Sequence, residues 1–163
     1  MTQDELYTKR DIMRFTKDKR SANLVILAIV FDCLYFVSLY STDVGTWYYT
    51  WMIGGSIVYN LLFLLTAFLA SEGVKNRKTG YTGMLLGIGA MQIVRMFYLP
   101  AKAHAAVVVV SGQEMKAMED GQYVYVLVCL ALSAVCCILA AVNSHINNKN
   151  LAEHMLTIEN KPA

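Results

Sequence analysis

Four uninterrupted apolar segments, Ala22 to Tyr40, Trp51 to Ala70, Thr82 to Leu99 and Val124 to Val142, constrain this chain more than any other feature. Each is 18 to 20 residues long, close to the ~20 that a helix needs to cross the hydrocarbon core of a bilayer. Together their 76 residues hold two of the 26 formal charges, Asp32 and Arg95, while the other 87 residues hold 24. Lipid imposes such sorting, because backbone groups in hydrocarbon must be satisfied within the segment and charges there oppose insertion. The segments lack the alternation of barrel strands. The expected fold is therefore all-α, an integral membrane four-helix transmembrane bundle formed as one domain over residues 1–163.

Composition excludes the main alternatives. An apolar share of 56% is more than a soluble domain of 163 residues could hide from water. A charged share of 16% and a net charge of +2 argue against a disordered chain and against a nucleic-acid partner. The bilayer is the expected surrounding.

Lys and Arg positions set an orientation. Lys9, Arg10, Arg14, Lys17, Lys19 and Arg20 precede the first segment, Lys75, Arg77 and Lys78 lie in the second loop, and Lys149 and Lys161 lie in the tail. The first and third loops hold only Lys102 and Lys116. Eleven against two predicts both termini on the cytoplasmic side (N-in/C-in), with residues 41–50 and 100–123 outside. Tyr40, Trp47, Tyr48, Tyr49, Trp51, Phe97, Tyr98, Tyr123 and Tyr125 would then form an aromatic belt at the outer boundary. About 20 polar residues before the first apolar run argue for a retained anchor over a cleaved signal peptide. Without an Asn-x-Ser/Thr acceptor in the outer loops, a bacterial plasma membrane is the expected location.

Outside the spans the signals are local. Pro100 is expected to stop the third helix. The run Val107 to Val110, the turn signals Ser111-Gly112 and Asp120-Gly121, and the alternation Tyr123 to Val126 permit a small hairpin in the outer loop; an apolar extension of the helices or a surface loop on the headgroups is the simpler expectation. Leu6, Met13 and Phe15 permit an interfacial N-terminal helix, although a topology-setting basic flank accounts for the same residues. Leu151, Met155 and Ile158 have the spacing of a short cytoplasmic helix.

Inside the spans, depth arithmetic at 1.5 Å per residue puts one polar residue of each helix at one level: Asp32, Asn60, Gln92 and Ser133. Arg95 lies about 4.5 Å further outward, and Tyr35 follows Asp32 by three positions. Two readings of this layer stay open. It is either a binding or conduction site for an ion, proton or small polar solute, or a buried network in which Asp32 and Arg95 neutralise each other and fix helix register. Self-neutralisation favours the second reading, since such a pair offers no net charge to a passing ion.

The four cysteines, Cys33, Cys129, Cys136 and Cys137, form no Cys-x-x-Cys pair and give no support for a metal or redox cofactor. Cys129, Ser133 and Cys137 recur every four residues as a small-residue stripe, and Gly83 with Gly87 forms a second packing surface, within the chain or between subunits. His104, His145 and His154 read as solvated surface residues. No hydrolase, phosphate-loop or dinucleotide motif is present, so an enzyme is not expected. The leading functional reading is a non-enzymatic subunit or accessory protein of a larger membrane-protein complex, or a homo-oligomer, acting through helix packing and its outer loop. The alternative is a small channel or transporter built on the polar layer.

Overall fold

The computed structural model describes residues 2–5, 12, 16–40, 50–110 and 112–159. Four long helices dominate it: α1 (Lys19–Tyr40), α2 (Thr50–Lys75), α3 (Gly80–Ala105) and α4 (Asp120–Glu159). Each contains a stretch long and apolar enough to cross a membrane. Residues 41–49, with Trp47, Tyr48 and Tyr49 of the expected aromatic belt, lie outside the described residues, as do Leu6, Met13 and Phe15 of the N-terminal reading.

Helical periodicity selects the inward face. On α1 the buried positions are Ser21, Ala22, Val25, Ala28, Asp32, Tyr35 and Leu39, steps of three and four that mark one stripe. On α3 they are Thr82, Leu85, Gly89, Gln92, Arg95, Leu99, Pro100 and Ala103. The α4 helix packs most extensively, against both α1 and α3, whereas α2 leans mainly on α1 and only lightly on α3. Gly89 shows why α3 and α4 approach so closely. A Cβ there would stand 3.2 Å from Ile138 Cγ1 and 3.3 Å from Cys137 Cβ. By contrast, Gly83 and Gly87 face open space within the chain, so the close crossing uses a glycine outside that pair.

Two apolar clusters fill the bundle. One joins Val25, Ala28, Phe63, Ala67, Leu85, Cys137 and Ala140 at the end where the α2–α3 turn lies. The other joins Tyr35, Leu39, Ala103, Met118, Val126 and Leu130 beneath the hairpin. Along each of α1, α3 and α4 the mid-span polar residues fall between these clusters.

The α2–α3 connection is a helix C-cap of Schellman type: Lys78 N–H donates to Gly73 C=O at 3.0 Å and Arg77 N–H to Val74 C=O at 2.9 Å. Arg77 holds φ at 56°, a left-handed conformation that costs about 1–2 kcal/mol outside glycine. Its side chain offsets this cost, since Nε donates to Thr16 C=O at 2.9 Å and a terminal nitrogen donates to Asn147 C=O at 3.4 Å. One arginine thus ties the segment before α1, the turn and α4 together.

Four expectations need correction. Pro100 does not stop the third helix, which continues to Ala105 with Pro100 buried inside it. Only the bond to the Met96 carbonyl is lost to the proline ring, and burial of Leu99, Pro100 and Ala103 on the same face outweighs it. Residues 100–123 are accordingly not one long loop: β1 (Val107–Val110) and β2 (Gln113–Lys116) form an antiparallel hairpin, with Val107 opposite Lys116 and Val110 opposite Gln113. Gly112 takes φ of 81°, a left-handed geometry that glycine adopts without strain, and Ala117 N–H closes the base on Ala106 C=O at 2.9 Å. Tyr123 to Val126, whose alternation suggested strand, instead begins α4, and Leu151, Met155 and Ile158 continue that helix without a break. At 1.5 Å per residue its 40 residues make a rod of about 60 Å, twice a hydrocarbon core.

Candidate functional site

Asp32, Asn60, Gln92, Arg95 and Ser133, contributed by all four helices, meet in one network. Asp32 is 1% exposed and Arg95 6%, and a guanidinium nitrogen of Arg95 lies 3.1 Å from Asp32 Oδ1. The other terminal nitrogen donates to Asn60 Oδ1 at 2.6 Å. Gln92 Nε2 donates to Asp32 Oδ1 at 2.8 Å and reaches Ser133 Oγ at 3.5 Å. Ser133 in turn donates to the Ala28 carbonyl at 3.0 Å. The guanidinium lies over two rings, with its carbon 4.3 Å from the Tyr35 centroid and 4.7 Å from that of Tyr59, where the π faces attract a desolvated cation. The Arg95 guanidinium is therefore held by Asp32 and Asn60 and contacted by two aromatic rings.

Some hydrogen-bonding capacity is left over. Asn60 Nδ2, Gln92 Oε1, Arg95 Nε and Ser56 Oγ are buried without a partner. Two cavities flank α2 at this depth. One of about 210 Å³ is bounded by Asp32, Cys33, Phe36, Asn60 and Leu64 between α1 and α2, and one of about 290 Å³ lies between α2 and α3.

Tyr59 escaped the reading by depth: it neighbours Asn60, yet its ring meets Arg95 of α3, a relation that linear spacing does not encode. Ser56 was legible, one turn before Asn60 on the same face of α2.

A second polar layer closes the end of the bundle at the α2–α3 turn. Asp18 caps α1, its carboxylate accepting the Ser21 N–H at 3.1 Å and the Ser21 hydroxyl at 2.7 Å. It also accepts Asn147 Nδ2 at 2.9 Å, while Asn143 Nδ2 donates to Ser21 Oγ at 2.9 Å. Burial alone would push the Asp18 carboxyl up, but the bonds from Ser21 and Asn147 and the charge of Arg77 outweigh it and hold it below the usual carboxylate range. Thr82 and Ser144 share a hydrogen bond of 3.3 Å, and Ser71 donates to the Ala22 carbonyl at 3.2 Å.

The histidine expectation also changes at two positions. His104 Nε2 lies 2.9 Å from Asp120 Oδ1 and the ring stacks on Tyr123 at 4.4 Å, so it fastens the hairpin base to the first turn of α4. Hydrogen bonds from Lys116 and then His104 hold the Asp120 carboxyl below its usual range. His154 is half-buried, its Nε2 enclosed and without a partner, whereas His145 is exposed. Of the stripe residues, Cys129, Ser133 and Cys137 are buried. All four cysteines are free, with Cys33 exposed, and among the described residues no group of three His, Cys, Asp or Glu could hold a metal ion.

Compared with known proteins, the chain matches no family model, no curated protein and no solved structure.

Proposed function

We propose that this is a multi-pass plasma-membrane protein with both termini cytoplasmic, and that it works without catalysis, as a subunit or accessory protein whose polar layer locks helix register. Membrane placement is supported by an inverted distribution at mid-span. Asp32, Asn60, Gln92 and Arg95 are buried, whereas Val30, Leu34, Leu61, Leu65, Val94 and Val135 are exposed. Water would reverse that arrangement; lipid favours it.

The observation that carries the functional reading is the Asp32–Arg95 contact of 3.1 Å. The charges cancel inside the protein, Asn60 brings in α2 through Arg95, and Ser133 brings in α4 through Gln92. Fixing the mutual register of four helices presents a defined exterior and a positioned hairpin, on which Val107, Val109 and Met115 are exposed for contact with a partner or a second copy. A transport role would use the same layer, and the unpartnered Asn60 Nδ2 and Gln92 Oε1 are the features in its favour.

Asp32→Asn and Arg95→Gln distinguish the two. Under the locking reading each lowers the melting temperature of the protein in detergent, and native mass spectrometry of gently purified material shows a defined homo-oligomer or a stoichiometric partner. Unchanged melting with lost solute flux in proteoliposomes would establish transport instead. A monodisperse monomer without partner would remove the subunit reading.

A further inference from the structure

The cavity between the outer halves of α2 and α3 has a volume of about 290 Å³ and is bounded by Gly55, Ser56, Tyr59, Met91, Arg95 and Tyr98 among others. That is the small end of the roughly 300–1,000 Å³ range of ligand sites, and about twice the ~150 Å³ apolar void that takes up benzene. Met91 and Tyr98 are half exposed on the surface of α3, so the cavity opens sideways onto the apolar exterior of the bundle. Its wall is almost wholly apolar. Yet Arg95 and Ser56, each 6% exposed, belong to that wall, and Arg95 Nε and Ser56 Oγ, both without a partner, are closed off behind it, so an occupant reaches them as the lining side chains move apart.

Those atoms define what would fit. An arginine Nε can only donate, and a serine hydroxyl can donate as well, so the complementary ligand brings an acceptor oxygen. It should be neutral. The Arg95 charge is already matched by Asp32 at 3.1 Å, which leaves no net positive charge to hold a desolvated anion. A cation would face the guanidinium. We propose that this cavity binds a neutral lipophilic molecule through a carbonyl oxygen, which accepts from Arg95 and Ser56 while its apolar body occupies the space beside Tyr59 and Met91. The proposal rests on the membrane reading, since sideways entry from lipid is the route. Two sources offer this chemistry, the acyl ester of a neutral lipid and the carbonyl of a quinone.

The test uses the full chain in detergent, with dioctanoylglycerol, a decyl-substituted benzoquinone and carbonyl-free decylbenzene as probes, and reads saturable thermal stabilisation. One of the two carbonyl probes should stabilise the protein at concentrations at least tenfold lower than decylbenzene, which identifies the source. A Cβ at Gly55 meets nothing within 4 Å, so Gly55→Phe can fill the space without a clash and should weaken binding at least tenfold. Ser56→Ala should weaken it about two- to tenfold, the equivalent of one hydrogen bond, yet leave the ligand-free melting temperature equal or higher because an unpartnered hydroxyl is removed. Val135→Phe, on the exposed face of α4, should change neither quantity. No saturable shift from either carbonyl probe, equal stabilisation by decylbenzene, or full binding by both cavity variants would overturn the proposal. So would a dimer that Gly55→Phe splits into monomers while no probe binds, which would assign the cavity to a neighbouring helix. Recovery of the chain in the carbonate-soluble fraction of cells would remove the membrane reading itself, whereas a membrane-retained chain that binds no probe would remove only the site.

Discussion

Replacing Arg95 by Met keeps much of the side-chain volume and removes the charge. It takes away the contact to Asp32 at 3.1 Å, the hydrogen bond to Asn60 at 2.6 Å and the position over the Tyr35 and Tyr59 rings. Two limits bracket the cost. Hydrogen bonds between membrane helices average about 0.6 kcal/mol each, so two lost bonds set a floor near 1.2 kcal/mol. Breaking a buried ion pair from one side costs about 3–5 kcal/mol, because the remaining charge stays buried without its partner. With Asp32 1% exposed the second effect dominates, although Gln92 still donates to the carboxylate, and a loss of about 3 kcal/mol is expected. Asp32→Leu should cost a similar amount by stranding the guanidinium. The double variant Asp32→Leu/Arg95→Met strands neither, and it should recover part of the loss, giving a coupling of about 1.5 kcal/mol or more in a double-mutant cycle. The measurement is unfolding of the purified protein in mixed micelles by denaturing detergent, followed by circular dichroism. Single-variant losses below about 0.5 kcal/mol, or strict additivity in the double variant, would refute the argument that this pair holds the bundle.

Gly73→Ala should destabilise the fold by about 1–3 kcal/mol, because the added methyl falls within the Tyr81 ring and the ring has to move; the same unfolding assay checks it. Gly83→Ala and Gly87→Ala face open space, so they should leave monomer stability equal or raise it by up to about 1 kcal/mol, and any effect on oligomer mass in native mass spectrometry would locate a contact between subunits there. Asp18→Ala removes the α1 cap and should cost about 1 kcal/mol at neutral pH. Since the folded Asp18 carboxyl is held low, its contribution is present above the unfolded carboxylate value and lost as pH falls through the folded one; Asp18→Asn should therefore flatten the stability curve on that acid side.

Depth within a span was legible because rise per residue is fixed, so counting from the ends was enough to bring Asp32, Gln92, Asn60 and Ser133 to one level. Rotation about the helix axis was not. Gly83 and Gly87 satisfy a packing motif, yet only Gly89 turns toward α4. In this chain both faces of each helix are apolar, which removes the contrast from which orientation is ordinarily read. Helix ends were legible only to the limit of the apolar runs. Amphiphilic stretches such as residues 143–157 follow the helix because Asn143, Ser144 and Asn147 bond across to Ser21, Thr82 and Asp18, partners distant in sequence. Pro100 misled for a related reason: its local preference was weighed without the burial that sustains the helix around it.

The position of α2 connects the layer with the cavities. That helix leans on α1, touches α3 only lightly and has an open space on either side at the level of Asn60. With so little apolar contact toward α3, the Asn60–Arg95 bond at 2.6 Å and the Tyr59 ring beside the same guanidinium tie the two helices together. A polar tie suits that place. It sets the depth and rotation of α2 by direction, which smooth apolar surfaces in lipid do poorly because lipid competes equally for the same contacts. It also leaves room beside itself, which a fully interdigitated apolar seam would fill. The same arginine can therefore anchor a helix and keep a sideways opening next to it, so stability of the bundle and occupancy of the cavity are coupled through one guanidinium.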